Sequence, residues 1–168
     1  LSDFLAGYLD LARMPAPRRA HVSVADVAKR VAGAYPRVKL GALASGTAWV
    51  DEGQAEQVLV NLIKNAEEAS EGEVELEVAR TDEGLELTIR DRGPGMTEDV
   101  LKNALLPVYS TKAQGTGLGL ALCREIVEAH DGKIRLRNRD GGGLEVACWF
   151  PDAPRRPTTQ TKLTITRA

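Results

Sequence analysis

Aromatic residues are scarce, 4% of the chain, so a core has to be built from aliphatic side chains, and a hydrophobic content of 43% supplies them. Cysteine is nearly absent. Cys123 and Cys148 lie far apart in apolar surroundings with no C-x-x-C spacing. They read as buried free thiols of a reducing compartment, not as a disulfide or a metal pair. The two histidines, His21 and His130, have no second ligand at metal spacing. No excess of one charge sign exists: the net charge of −2 excludes the basic footprint of a nucleic-acid binder. No apolar run approaches the ~18 residues of a membrane span, and no signal peptide is visible. The 168 residues suit one domain that buries roughly 70% of its unfolded surface. The chain opens on Leu1 without a methionine and is expected to be a fragment of a longer protein.

What the sequence does hold is a glycine-rich stretch, S-T-K-A-Q-G-T-G-L-G-L, from Ser110 to Leu120. Gly115, Gly117 and Gly119 alternate, Lys112 precedes them, and an apolar helical segment follows at once. Such a turn suits a phosphate, because backbone N–H groups approach the anion unhindered and the helix dipole adds positive potential. By spacing alone it is equally a tight turn with glycines for packing.

In chain order, residues 1–12 predict the end of a helix with Phe4, Leu5, Tyr8, Leu9 and Ala12 on one face. Residues 13–22, with Pro15 and Pro17, predict a stiff linker. From Ser23, a capped amphipathic helix shows Val24, Val27, Ala28 and Val31 as its stripe, and Pro36 stops it. Arg37 to Leu43 and Thr47 to Asp51 are expected as short strands. Asp51 to Ser70 is the longest helix, with Leu59, Leu62, Ile63 and Ala66 inward. Asn61 and Asn65 lie one turn apart, and Asn65 falls beside the stripe, where it reaches into a pocket or serves local packing.

Glu73 to Arg80 and Leu85 to Ile89 alternate as two strands of a hairpin. The parity of the second continues to Asp91, which puts a carboxylate on the core side of a strand end, followed by Gly93 and Gly95. A carboxylate there needs a donor. A ligand amino group is one candidate, and the D-x-G turn itself is the other. Thr97 to Leu106 predicts a short helix, Leu118 to His130 a deeply packed one, and His130 a partner for carbonyls of its last turn. Lys133 to Arg139 and Leu144 to Phe150 form a hairpin over D-G-G-G. Residues 152–168 read as a tail, with a terminal strand through Leu163 and Ile165 as an option.

The three polar groups occur in one order: N-L-I-K-N-A-E-E-A on a helix, D-R-G-P-G-M at a strand end, G-T-G-L-G-L-A-L at a loop-to-helix junction. These resemble the N, G1 and G2 boxes of the catalytic ATP-binding domain of sensor histidine kinases. L-L-P-V-Y-S-T-K resembles the F box and short lid of the nitrogen-regulation-sensor branch. The resemblance runs from about Ser23 to Phe150, and residues 1–12 resemble the end of a dimerisation and phosphoacceptor helix. It implies an α+β, two-layer Bergerat fold shared with gyrase, Hsp90 and MutL: a mixed, mostly antiparallel sheet covered on one face by three helices. The catalytic domain then spans residues 23–151.

The resemblance further implies ATP and Mg²⁺ as cofactors. Asp91 accepts from the adenine amino group, and Gly93 and Gly95 border the base. Asn65 is the Mg²⁺ ligand. Asn61 and Lys112 are the catalytic side chains near the phosphates, and Gly115, Thr116, Gly117, Leu118 and Gly119 offer the phosphate-binding backbone. The implied partners are the parent's own phosphoacceptor domain in a homodimer and a response regulator, with this domain cytoplasmic and the parent anchored in an inner membrane. Three departures stand out. Leu105, Leu106 and Tyr109 replace F-box phenylalanines, Glu68 replaces a basic residue, and no H-E-x-x or H-D-x-x segment is present. Gyrase- and MutL-type ATPases and anti-sigma serine kinases resemble the chain too, but they carry a glutamate one turn before the metal asparagine. Asn61 cannot act as that general base.

Overall fold

The alternating apolar residues of the middle of the chain decide the architecture. In the computed structural model, which describes residues 2–107, 109 and 117–156, strands β4 (Val74–Thr81) and β5 (Gly84–Arg90) pair antiparallel with Leu76 opposite Ile89 and Thr81 opposite Gly84. Val74, Leu76, Val78, Leu85, Leu87 and Ile89 all point into the core. Strand β7 (Leu144–Pro151) pairs antiparallel with β5, and β6 (Lys133–Asn138) with β7. Strand β2 (Val38–Leu43) pairs with β4, parallel, with a register irregularity between Leu40 and Leu43. The sheet order is β2-β4-β5-β7-β6, mixed and mostly antiparallel.

Three helices cover one face of this sheet, as the fold expectation states. Helix α2 (Val24–Ala32) starts at Ser23, whose hydroxyl accepts from the Asp26 N–H, and buries Val24, Val27, Ala28 and Val31. Helix α3 (Glu52–Ala69) starts at Asp51, whose carboxylate accepts from the Gln54 N–H, and buries Val58, Leu59, Leu62, Ile63 and Ala66. Helix α5 (Gly119–Ala129) buries Leu122, Cys123, Ile126 and Val127. A short α4 (Glu98–Asn103) is capped by Thr97 and has no fully buried residue, with Leu101 packed against the edge of the core. The opposite face of the sheet is charged: Arg90 bridges Glu77 and Glu145, Arg137 also holds Glu145, and Arg135 meets Glu86. Two Arg partners, Arg137 first, overcome burial and hold the Glu145 carboxyl down at about 2.

His130 fastens α5 to α3. Its Nδ1 donates to the Ile126 carbonyl at 2.7 Å and its Nε2 accepts from the Asp51 N–H at 3.0 Å, which fixes the neutral tautomer. Its partner role in the last turn is therefore found, and it reaches a second helix besides. Cys123 and Cys148 are free and buried, as expected from their context.

Two details differ from the sequence expectation. The stretch 13–22 contains the start of a strand: β1 (Ala20–Ser23) pairs antiparallel with β3 (Thr47–Val50) in a separate two-stranded sheet. Four residues between prolines and a helix cap carry too little alternation to be read as a strand. Helix α1 (Ser2–Ala12) leaves Leu5, Tyr8 and Leu9 exposed, and it approaches α5 through Gly7, whose missing side chain leaves Leu118 Cδ1 only 3.1 Å from a would-be Cβ. Leu163 and Ile165 lie outside the described residues.

Candidate functional site

At the end of β5 the chain turns away from the sheet and leaves Asp91 buried, 4% exposed. Its Oδ1 accepts from the Gly93 N–H at 2.8 Å and from the Leu144 N–H at 3.1 Å. The D-x-G turn is thus real, yet it uses one oxygen only. Among the described residues no donor reaches Oδ2. A buried carboxylate with one oxygen satisfied and the other open fits a ligand that brings an N–H. Gly95 follows with φ of 72°, a left-handed conformation suited to glycine. Both glycines of D-R-G-P-G sit where a side chain would clash, Gly93 against the Ala69 carbonyl and Gly95 against Asn138.

The other end lies between α3 and the start of α5. Asn65 is half-buried, and a methyl placed on Gly119 would stand 3.7 Å from its Nδ2 and 3.8 Å from its Oδ1. The asparagine amide therefore faces the first turn of α5, and among the described residues it makes no hydrogen bond. Helices α2, α3 and α4 each receive a side-chain cap from Ser23, Asp51 and Thr97, whereas α5 opens on Leu118 with no side-chain cap. Gly117, with φ of 68°, turns the chain into the helix. A helix start with no side-chain cap, together with the helix dipole, suits an anion.

Asn61 sits one turn earlier on α3. Its Nδ2 is buried without a hydrogen-bond partner. It lies on the Cys123 side: burial pushes that thiol up to about 12, and the Asn61 amide works in the opposite direction. The structure thus brings Asn65 to Gly119 at the start of α5, after Gly117 and Leu118, and sets Gly93, which holds Asp91, against Ala69 at the end of α3; Asn61 faces Cys123, and Gly95 lies against Asn138. Lys112, Gly115 and Thr116 lie outside the described residues.

Sequence reasoning missed the residues that hold the Asp91 end. Arg139 Nη1 donates to the Asp91 carbonyl at 2.8 Å, and Asn138 bonds both the N–H and the carbonyl of Met96. In sequence they look like solvated polar residues flanking a glycine turn. Only the β6–β7 register brings them to the site.

Residues 50–154 match the sequence profile of the family described as histidine kinase-, DNA gyrase B-, and HSP90-like ATPase. Over 95 residues the chain is 41% identical to sporulation kinase C of Bacillus subtilis (strain 168), an overlap of 55% of this chain and 22% of that protein. Over 124 residues it is 39% identical to the C4-dicarboxylate transport sensor protein DctS of Rhodobacter capsulatus, 68% of this chain and 19% of that one. The chain thus spans about a fifth of the length of these curated relatives. Full-length ShkA, solved in complex with AMPPNP, superposes with a TM-score of 0.75 at 25% identity over 89% of this chain and 35% of that one.

Proposed function

The chain belongs to the family of histidine kinase-, DNA gyrase B- and HSP90-like ATPases, as a histidine-kinase-like catalytic domain, and we propose that it delivers the γ-phosphoryl of Mg-ATP to a histidine of a separate phosphoacceptor domain. Asp91 Oδ2 accepts from the adenine amino group, and Gly93 and Gly95 let the flat base lie against backbone. The N–H groups from Gly117 to Gly119, with those of Gly115 and Thr116, cradle the phosphates, and Lys112 adds a cation. ShkA's complex with AMPPNP supports an ATP-type ligand for this fold.

Mg²⁺ fits the residues present. Among the described residues no cluster of three or more His, Cys, Asp or Glu side chains could hold a metal alone. A single uncommitted amide oxygen, that of Asn65, faces the phosphate end. Mg²⁺ suits such a site because phosphate oxygens and waters complete its octahedron. When bound, it neutralises charge on the phosphate oxygens. The chain's own residues bind and orient the nucleotide, so catalysis is positioning plus electrostatic stabilisation.

Residue 61 carries the choice of kinase over ATPase. An amide there cannot take a proton from water, so the nucleophile has to come from elsewhere. Transfer breaks the bond between the γ-phosphorus and the bridging oxygen, releases ADP, and forms a phosphorus–nitrogen bond to the acceptor imidazole. Neither histidine of the chain suits that role. His130 is fully buried with both ring nitrogens engaged, and His21 lies in β1 against Trp49 and not on a helix. The acceptor histidine therefore belongs to the phosphoacceptor domain of a homodimeric parent, from which a response regulator takes the phosphoryl group. The catalytic domain sits in the cytoplasm, with the parent anchored in an inner membrane.

The test is to add a matching phosphoacceptor domain in trans with γ-labelled ATP. Label is expected on the added domain as an acid-labile, base-stable phosphoryl group, and none on the chain alone. Rapid release of inorganic phosphate without any acceptor would instead favour an ATPase.

A further inference from the structure

The base end of the site is not self-supporting. The loop from Asp91 to Met96 is fastened at both ends to the β6–β7 hairpin, by two neighbouring residues. Arg139, with its side chain 14% exposed, donates from Nη1 to the Asp91 carbonyl at 2.8 Å, and its Nη2 meets Glu75 at 3.3 Å. Asn138 accepts from the Met96 N–H at 2.8 Å and donates to the Met96 carbonyl at 2.6 Å. The two glycines nearest these contacts are there for proximity. A Cβ on Gly95 would lie 2.6 Å from Asn138 Oδ1, and one on Gly143, where φ is 103°, would collide with the Asp91 carbonyl. Leu144 adds a backbone pair: its N–H reaches Asp91 Oδ1 and its carbonyl accepts from the Asp91 N–H at 3.0 Å.

We propose that Asn138 and Arg139 are positioning residues for purine recognition, which set the direction of Asp91 Oδ2 and the course of the Gly93–Met96 backbone without touching the nucleotide. The proposal rests on Asp91 being the base acceptor. A hydrogen bond is strongly directional, weakening steeply once misaligned. Loosening the carboxylate therefore loses the bond to the base amino group while leaving the phosphate end, on α3 and α5, intact. Other polar residues of the hairpin lack this connection: Arg137 is tied to Glu145 on the charged face of the sheet.

The experiment measures, on the full 168-residue chain with Mg²⁺, the affinities of ATP, of purine riboside triphosphate (the same ring without the amino group) and of inorganic tripolyphosphate. The variants are Asn138→Ala, Asn138→Asp, Arg139→Met and Arg139→Lys. Asn138→Ala and Arg139→Met are each expected to weaken ATP about tenfold, the scale of one hydrogen bond to a charged group, and to shrink the preference over purine riboside triphosphate. Tripolyphosphate affinity is expected to stay within about twofold. Asn138→Asp, which keeps the acceptor for Met96, and Arg139→Lys fall between these variants and the unmodified chain. Variants that lose thermal stability yet keep the full preference for ATP overturn the proposal, because a merely structural role acts that way. If Arg139→Met does not fold, Asn138→Ala decides alone, since Asn138 is exposed and its removal leaves the core intact. If the unmodified chain itself shows no preference for ATP over purine riboside triphosphate, Asp91 is not the base acceptor, and the assignment beneath the proposal falls with it.

Discussion

Replacing Asp91 by asparagine exchanges one oxygen for an NH₂ group and changes little else. The remaining amide oxygen can take the place of Oδ1 and keep the bonds from Gly93 and Leu144, at 2.8 and 3.1 Å. The NH₂ then stands where Oδ2 was, a donor facing the donor on adenine. The loss comprises one hydrogen bond to an ionised acceptor, about 1.5–3 kcal/mol, plus desolvation of an amino group left unpaired, on the order of 1 kcal/mol. The sum, roughly 2.5–4 kcal/mol, weakens Mg-ATP binding by about 70- to 900-fold. Isothermal titration reads the affinity, and thermal melting checks the fold. Retained backbone bonds imply a melting temperature within about 4 °C of the unmodified chain. Asp91→Ala is the contrast: it removes the side-chain acceptor of the Gly93 and Leu144 N–H groups and should lower melting as well as affinity. Asp91→Asn binding Mg-ATP as well as the unmodified chain would refute the base contact.

Asn65→Ala is expected to remove most of the Mg²⁺-dependent part of ATP affinity, measured with the ion and with a chelator; an equal fall in both conditions makes Asn65 a packing residue. His130 sets a pH dependence. Burial, with a further push from Arg19, holds its ring below the usual histidine range against the Ile126 carbonyl and the nearby Asp51 and Asp131 carboxylates. The neutral ring belongs to the folded state, so stability is full above the unfolded value near 6.5 and falls as pH drops below it. Urea unfolding at pH 7.5 and 5.5 should show this fall, while His130→Gln, destabilised by about 1–3 kcal/mol at the higher pH, should show a flatter one; equal slopes in both proteins refute the assignment. Finally, burial pushes the Cys123 thiol up to about 12 and that of Cys148 well above its usual value, so neither is expected to react with a thiol reagent at pH 8 until the chain is unfolded. Modification of the native chain on mixing would contradict that.

The legible parts of the fold were those with a short repeat. Alternation along β4 and β5 fixes their faces, and one more step of the same parity places Asp91 at the core side of the strand end. The stripe of α3 likewise places Asn65 at the edge of the core, where it is half-buried. Where tertiary pairing decides, the sequence is silent. Residues 20–23 acquire strand character only from Thr47–Val50. The apolar face read for α1 leaves out the residues that dock, Gly7 against Leu118 and Leu11 against the core. Asn138 and Arg139 sit at a position where polar residues are ordinary, and their work depends on a register set three strands away from β2. The glycine spacing before α5 was legible as a turn opening a helix, and Gly117, with φ of 68°, makes that turn.

Among the described residues the five-stranded sheet ends in two edge strands, β2 and β6, and neither invites another strand. Strand β2 breaks register between Leu40 and Leu43, so a second chain finds no continuous ladder of N–H and carbonyl groups to extend. Strand β6 carries Lys133, Arg135 and Arg137 in alternation, all exposed, a charged edge with Arg135 and Arg137 tied to Glu86 and Glu145. Both are protections against edge-to-edge joining. Both edges are thus shaped against extension by a further strand, one by its broken register and the other by its charge.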